Sequence, residues 1–137
     1  MRFEDSLFSK SLSYNKIELD FATNYLFDDF FILEVNEGEH FNSEKLNQLL
    51  SSLRVYYGHH KTLAYIANRV NAYSIDPILW SYFDNDDSIL IGASIVSYRD
   101  STFMSANIEK KMASIPLKRA LSLGEAINWV TQLKEFN

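Results

Sequence analysis

The chain of 137 residues contains no cysteine, only four glycines and only two prolines. The absence of cysteine excludes disulfide frameworks, thiol nucleophiles and cysteine-ligated zinc, and it fits the reducing cytoplasm, where we expect the protein to lie. Few residues interrupt regular structure, whereas ten phenylalanines, eight tyrosines and two tryptophans can fill an interior. The composition therefore predicts one domain over residues 1–137, with residues 1–13 at its periphery.

Two further absences concern membranes and nucleic acids. No stretch approaches the roughly 18 apolar residues of a membrane span, and the N-terminal segment carries acidic residues where a secretory signal needs a basic start. The net charge is −5, and the basic residues are scattered along the chain. Because phosphate backbones are bound by clustered lysine and arginine, we expect no nucleic-acid role, and we expect no membrane span.

Apolar spacing predicts strands that alternate with helices. Ile17, Leu19 and Phe21 alternate with polar residues, which predicts a strand over residues 16–21 in an antiparallel hairpin with a strand over 30–35. The other predicted elements are a helix over 43–57 ending at Gly58, a buried strand over 62–67, a short helix over 77–83, a buried strand over 89–96, a helix from Asp100 or Ser101 to Met112, a short strand over 117–121 and a final helix starting at the capping box Ser122–Glu125.

This order, ββαβαβαβα, predicts an α/β fold. We expect a single-layer, mixed and mainly parallel sheet of about five strands, with an initial antiparallel hairpin and about four helices packed against it. Within it, Gly92 is expected to permit the close approach of a neighbour. Met104, Ile108 and Met112 recur every four residues and predict the packing face of their helix.

A resemblance to a known superfamily extends over residues 14–133. The chain resembles small bacterial proteins of the STAS-like superfamily, which share the SpoIIAA-like fold of anti-sigma-factor antagonists and are loosely related to the lipid-carrying CRAL-TRIO fold. The similarity lies in the order of elements and in the segments Asn36-Glu37-Gly38, Tyr56-Tyr57-Gly58, residues 66–77, Ile95-Val96-Ser97-Tyr98 and Glu125-Ala126-Ile127-Asn128-Trp129. It implies the STAS-like fold and a regulatory, protein-binding role.

The resemblance also bears on Ser74. Antagonists of this superfamily carry a phosphorylated serine at the start of the helix after the third strand, and Ser74 lies in the comparable place, which makes it a possible phosphorylation site. The usual Asp-Ser-Ser-Gly type of motif is replaced here by Tyr73-Ser74-Ile75-Asp76. A phosphate at Ser74 would be attracted by a helix N-terminus and repelled by Asp76.

The loop after the strand over 62–67 is the candidate binding site. It leaves the carboxyl edge of the predicted sheet, where open α/β sheets bind ligands, and Arg69 there suits an anionic group or a carboxylate of a partner. Alternatively, Arg69 pairs with an acidic neighbour, the asparagines satisfy loop backbone, and Ser74 and Asp76 initiate the next helix. The candidate binding residues are Asn68, Arg69, Asn71, Tyr73, Ser74 and Asp76.

No motif indicates a metal, a cofactor or catalysis. His40, His59 and His60 lack metal-ligand spacing, and residues 84–88 resemble a calcium loop only superficially, since Ile89 and Ile95 replace its glycine and glutamate. Phosphate loops, dinucleotide fingerprints and nucleophile elbows are missing. We therefore expect no catalytic residues and no cofactor.

Two hypotheses of different classes follow. The first is a non-catalytic regulatory module that binds a protein partner through the Arg69–Asp76 loop and the helix after it. The second is a small carrier or sensor that holds a lipid or another hydrophobic ligand in an apolar pocket. An enzyme that uses Arg69 with Asp76 or a nearby carboxylate is a third, less favoured alternative, because the expected motifs are missing.

Overall fold

The computed structural model describes residues 1–83 and 89–133, apart from the side chain of Phe83. The segment that resembles a calcium loop, residues 84–88, lies outside the described residues. The strands are β1 (Asn15–Glu18), β2 (Ala22–Leu26), β3 (Phe30–Val35), β4 (His40–Phe41), β5 (Leu63–Asn68), β6 (Ser74–Ile75), β7 (Leu90–Val96) and β8 (Leu117–Ala120). The helices are α1 (Phe8–Ser11), α2 (Ser43–Tyr57), α3 (Asp100–Met112) and α4 (Leu123–Thr131), with 3₁₀ helices at Phe3–Asp5 and Pro77–Phe83.

The main sheet has six strands in the order β1-β2-β3-β5-β7-β8. Strands β1, β2 and β3 pair antiparallel, whereas β3, β5, β7 and β8 pair parallel. The predicted α/β fold with a mixed sheet and an initial antiparallel section is therefore confirmed. Strands β4 and β6 form a separate two-stranded parallel sheet.

The predicted hairpin partners are wrong in one respect. Strand β3 pairs with β2 and not with β1, because the chain turns at Asp20 and Phe21, where Leu19 and Ala22 exchange backbone hydrogen bonds. Sequence spacing missed β2 because a buried asparagine, Asn24, interrupts its apolar pattern. The sheet consequently has one strand more than predicted.

The sheet is buried on both faces. Along β5, Leu63, Tyr65 and Ala67 face a core that includes residues of α2, the 3₁₀ helix Pro77–Phe83 and α3. Between them, Ala64 and Ile66 face a second core that includes residues of α4 and the N-terminal segment. Successive residues of a strand point to opposite faces, so the nearly continuous apolar run of β5 is that of a strand covered on both sides.

The N-terminal segment contributes to this second core. Residues 1–13 were expected at the periphery, yet Phe3 is completely buried. Its ring contacts those of Tyr14, Tyr25 and Phe27, with centroids 4.9, 4.7 and 5.5 Å away. Contacts of this kind add to the burial energy of large aromatic rings, so the segment is packed against the sheet by an aromatic anchor.

Side chains cap the N-termini of α2 and α4. Helix α2 begins where the Asn42 side chain accepts a hydrogen bond from Lys45 N, and it ends at Gly58, whose φ of +88° suits glycine. At α4, Ser122 Oγ accepts from Glu125 N, and the Glu125 carboxylate accepts from Leu121 N. The Ser122 bond of the predicted capping box is confirmed, whereas the Glu125 carboxylate binds the N–H of Leu121, the residue before the N-cap.

Two packing predictions have opposite outcomes. The close approach at Gly92 is confirmed, because a Cβ there would lie only 2.8 Å from Cδ1 of Leu133. The predicted packing face of α3 is wrong: Met104, Ile108 and Met112 are exposed. The inward side of the helix instead holds the small residue Ala106 and the buried carboxylate of Glu109, which pairs with Arg69.

Within the described residues, we find no helix long and apolar enough to cross a membrane.

Candidate functional site

The crossover loop, residues 69–76, leaves β5 at the carboxyl edge of the sheet and is held by backbone hydrogen bonds. Arg69 N donates to Val96 O, Ser74 N donates to Glu39 O at 3.0 Å, and Asp76 N donates to Phe41 O at 3.1 Å. The last two bonds belong to the β4–β6 pairing, which the sequence did not predict. The loop is therefore fixed to the body of the protein at both ends.

Arg69 is buried beneath this loop and forms an ion pair with Glu109 of α3. Its two terminal nitrogens donate to the two carboxylate oxygens at 2.5 Å each, and the side chains are only 5% and 0% exposed. The same carboxylate accepts from Trp80 Nε1 at 2.8 Å and from Ser105 Oγ at 3.1 Å, and Arg69 Nε donates to Tyr73 Oη at 3.1 Å. We call these five residues the Arg69–Glu109 cluster.

Electrostatics keep Arg69 charged in this environment. Burial alone would lower its pKa, but the charge and hydrogen bonds of the Glu109 carboxylate outweigh burial and raise the pKa above the usual value. Burial raises the pKa of Tyr73, so its phenol stays neutral. A bidentate arginine–carboxylate pair has its strongest hydrogen bonds already made, so the guanidinium of Arg69 is engaged by Glu109 rather than directed at a ligand.

Asn68 lies on the other side of the sheet edge, in a second polar cluster. Its Nδ2 donates to Glu34 Oε2 at 2.7 Å and to Met1 O at 3.0 Å, and its Oδ1 accepts from Tyr98 Oη at 2.7 Å. Phe3 N also donates to Glu34, at 2.8 Å. The cluster joins the N-terminal segment to β3 and β5.

Burial dominates the titration of this second cluster. It raises the pKa of Glu34, and the hydrogen bonds from Phe3 and Asn68 only partly oppose that rise. It also raises the pKa of Tyr98 to about 12. Glu34 has no cationic side chain within hydrogen-bond distance among the described residues, in contrast to Glu109.

The remaining candidate residues have separate roles. Asn71 Nδ2 donates to Val35 O at 3.0 Å, which satisfies loop backbone. Ser74 is exposed, and its hydroxyl lies 2.7 Å from His40 Nδ1 on the neighbouring strand β4. Asp76 accepts from Ile78 N at 3.3 Å and so initiates the 3₁₀ helix Pro77–Phe83. The six candidates therefore do not converge on one point.

A cleft of about 310 Å³ lies between the crossover loop and the start of α3. Its walls combine polar and apolar groups, and Arg99 there donates to Val70 O at 3.4 Å. The residues of its lining that bear hydroxyl groups or positive charge are Arg69, Tyr73, Ser74, Arg99, Ser101, Thr102 and Ser105. Ser74 is therefore the candidate residue that combines exposure with a position at this cleft.

A second depression has a mainly apolar lining. This groove of about 610 Å³ runs between the N-terminal segment and the start of α4. Its apolar lining includes Met1, Leu7, Phe8, Leu121 and Leu123. Of these, Leu7 and Leu121 are strongly exposed. Sequence spacing did not single it out, because its residues come from distant parts of the chain.

Sequence analysis missed Glu109, Trp80 and Glu34. A signal for Glu109 was present, since Ala106, Glu109 and Ala113 recur at helical spacing and mark the inward face of α3. The residue type gave the opposite indication, because charged residues are almost never fully buried unless they are paired. Among the described residues, no group of three or more histidine, aspartate or glutamate side chains is placed to hold a metal ion.

Comparison with solved structures identifies the fold class of this domain: it has a SpoIIAA-like fold, which is the fold that the resemblance implied. One similar structure is that of an uncharacterised DUF3478-family protein from Shewanella loihica PV-4, described as having a SpoIIAA-like fold. It aligns with a TM-score of 0.53 and 6% identity, over 86% of this chain and 92% of that one.

No protein-family model matches the chain. No curated protein matches it either. At 6% identity, the structural similarity concerns the fold alone.

Proposed function

We propose that the protein is a non-catalytic regulatory module that binds a protein partner through the crossover loop and the 3₁₀ helix Pro77–Phe83. One observation supports this proposal above all: the surface is rigidly held from the inside and apolar on the outside. On the inner side, the buried Arg69–Glu109 cluster fixes the backbone. On the outer side, Ile78 is 51% and Tyr82 is 46% exposed.

This contrast favours recognition for an energetic reason. A preformed surface loses little conformational entropy when a partner binds, and exposed aromatic and aliphatic side chains supply most of the binding energy at interfaces. Trp80, between the two exposed residues, is buried and donates to Glu109, so it holds the helix from below. Ser74 lies at the start of this surface, where a phosphate would change its charge.

The test uses a partner first captured by the tagged full chain from its native cells, then purified and titrated against variants by calorimetry. Ile78→Asp should weaken binding at least about tenfold, because it places a charge in the interface. Val55→Asp on α2 is the matched control, since Val55 is also an exposed aliphatic residue and lies outside the proposed surface. Equal affinities of the wild type and Ile78→Asp would contradict the proposal.

The apolar groove supports a second candidate function, a carrier or sensor of a lipid or another hydrophobic ligand. Its volume of about 610 Å³ falls within the usual range of small-molecule sites. Native mass spectrometry of freshly purified protein should then detect a bound hydrophobic molecule. The variant Leu121→Asp should lose it, and a ligand-free wild type would count against this function.

A further inference from the structure

The main sheet has two outer strands, β1 and β8, and neither proposed function involves their free edges. Among the described residues, β1 pairs only with β2, and β8 pairs only with β7. An edge strand carries a row of backbone N–H and C=O groups without partners, which is a template for pairing with another strand. The two edges differ in the charges that they present, and this difference decides which of them can pair with a copy of itself.

The register of β1 fixes which of its backbone groups point outward. Leu19 N donates to Ala22 O at 2.8 Å, Ala22 N donates to Leu19 O at 3.4 Å, and the same register continues through Ile17. In an antiparallel ladder, hydrogen-bonded and non-hydrogen-bonded pairs alternate, so Ile17 and Leu19 direct their N–H and C=O groups toward β2. The backbone groups of Lys16 and Glu18 therefore point away from β2, at the free edge.

Two side chains of opposite charge flank the centre of this edge. Lys16 and Glu18 are both exposed, and they lie on the same face of β1 because they are two residues apart. Lys16 Nζ is 3.0 Å from Glu4 Oε2 but 3.6 Å from Glu18 Oε1, and the Glu18 side chain is 73% exposed. An ammonium group has three N–H donors, so Lys16 can bind a further carboxylate. Glu18 likewise has acceptor capacity for a further cation.

We propose that β1 pairs antiparallel with β1 of a second copy of this chain, about a twofold axis through Ile17. In this register Lys16 lies opposite Glu18 of the second copy, and Glu18 lies opposite Lys16 of the second copy. Each of these pairs exchanges two backbone hydrogen bonds, because the backbone groups of both residues point outward. Opposite charges at facing positions stabilise this register. The six-stranded sheets of the two copies then form one continuous sheet.

Charge decides against the other edge and in favour of a second copy. Strand β8 carries Lys118 and Arg119 side by side, so two β8 strands paired antiparallel around these residues bring like charges together, which is destabilising. Charged residues commonly protect an edge strand against pairing. At β1 this protection fails against a second copy, because Lys16 and Glu18 have opposite charges and exchange places under the twofold rotation. The edge of β1 is therefore complementary to itself.

The experiment is analytical ultracentrifugation of the full chain at concentrations up to about 1 mM. The paired edge is short, so we expect a weak dimer with a dissociation constant between about 10 μM and 1 mM. Lys16→Glu places glutamates opposite each other, and Glu18→Lys places lysines opposite each other, so each variant should weaken dimerisation at least about tenfold. An equimolar mixture of the two variants should form a heterodimer with about the affinity of the wild type, because every facing pair again has opposite charges.

Two further variants separate pairing from other effects of the substitutions. Lys110→Glu makes the same change of charge at an exposed position of α3, which contacts β8 at the opposite edge, and it should leave dimerisation unchanged. Glu18→Pro removes an outward N–H group that β2 does not use, so it should weaken dimerisation at least about tenfold while circular dichroism shows an intact fold.

Several outcomes would overturn the inference. They are a wild type that stays monomeric at about 1 mM, a dimer that survives both charge reversals, or a mixture of the two variants that does not associate. Assemblies that grow beyond the dimer would show that β1 pairs with another edge, and they would refute the twofold pairing. The proposed partner surface is tested separately at Ile78, so failure here leaves the proposed function untouched.

Discussion

The replacement Glu109→Gln tests how much the buried ion pair contributes to stability. Glutamine keeps one acceptor oxygen, but it places an amide N–H group against Arg69, which already donates to both carboxylate oxygens. The guanidinium of Arg69, whose side chain is 5% exposed, is then left charged and unpaired away from water. Removing one partner of such a pair costs about 3–5 kcal/mol, which is a large part of the roughly 5–15 kcal/mol that stabilise a domain.

The measurement is urea denaturation followed by fluorescence and circular dichroism. We expect Glu109→Gln to lower the free energy of unfolding by about 3–5 kcal/mol. Asp29→Asn, in the exposed pair with Lys61, is the matched control and should cost no more than about 1 kcal/mol.

The double variant Arg69→Met/Glu109→Leu gives the sharper comparison, because it removes both charges together. It should be more stable than Glu109→Gln, although Trp80 Nε1 loses its acceptor at a cost of about 1–3 kcal/mol. A loss below about 1 kcal/mol in Glu109→Gln, or a double variant that is less stable than Glu109→Gln, would refute the reasoning.

Three further predictions concern single residues. Because burial raises the pKa of Glu34, the stability that this group contributes is present below its usual pKa and is lost as the pH rises through the raised value. The variant Glu34→Gln, which does not titrate, should therefore gain stability relative to the wild type as the pH rises above the usual range of a glutamate carboxyl group, and a difference that stays constant with pH in denaturation curves would contradict this. Asn24 is completely buried, and its amide has no hydrogen-bond partner among the described residues. Asn24→Leu should therefore raise the free energy of unfolding by about 1–3 kcal/mol. A free energy of unfolding below that of the wild type would mean that the amide is satisfied. Gly58→Ala should lower the free energy of unfolding by about 1–3 kcal/mol, because Gly58 has a positive φ. Gly124→Ala at the start of α4, where φ is not positive, should be neutral or stabilising. Equal effects of the two variants in thermal unfolding would count against a backbone cause.

The fold followed from the sequence where apolar periodicity and capping chemistry agreed. Helix α2 has the predicted bounds, and α4 begins at the predicted capping box. Most of the order of strands and helices follows from local patterns, so it could be predicted from the sequence. Strand β2 could not be predicted, because tertiary burial of Asn24 overrides the rule that buried positions are apolar.

The position of the candidate loop, residues 69–76, could be predicted from the sequence, but the contacts of its side chains could not. The crossover loop does leave the carboxyl edge of a buried strand, as the spacing indicated. The partner of Arg69, however, is 40 residues away on α3, and no local pattern specifies such a pair. The same is true of Asn68, whose contacts with Glu34 and Met1 depend on how the N-terminal segment packs.

The two tryptophans lie on opposite faces of the sheet. Trp80 is buried, stacks on Tyr65 and donates to Glu109, whereas Trp129 on α4 is half-buried against the second core. Single-tryptophan variants would give each layer its own optical reporter. Loosening around the crossover loop would change the emission of Trp80, and detachment of the N-terminal segment or α4 would change that of Trp129, so that the order in which the two layers open becomes measurable.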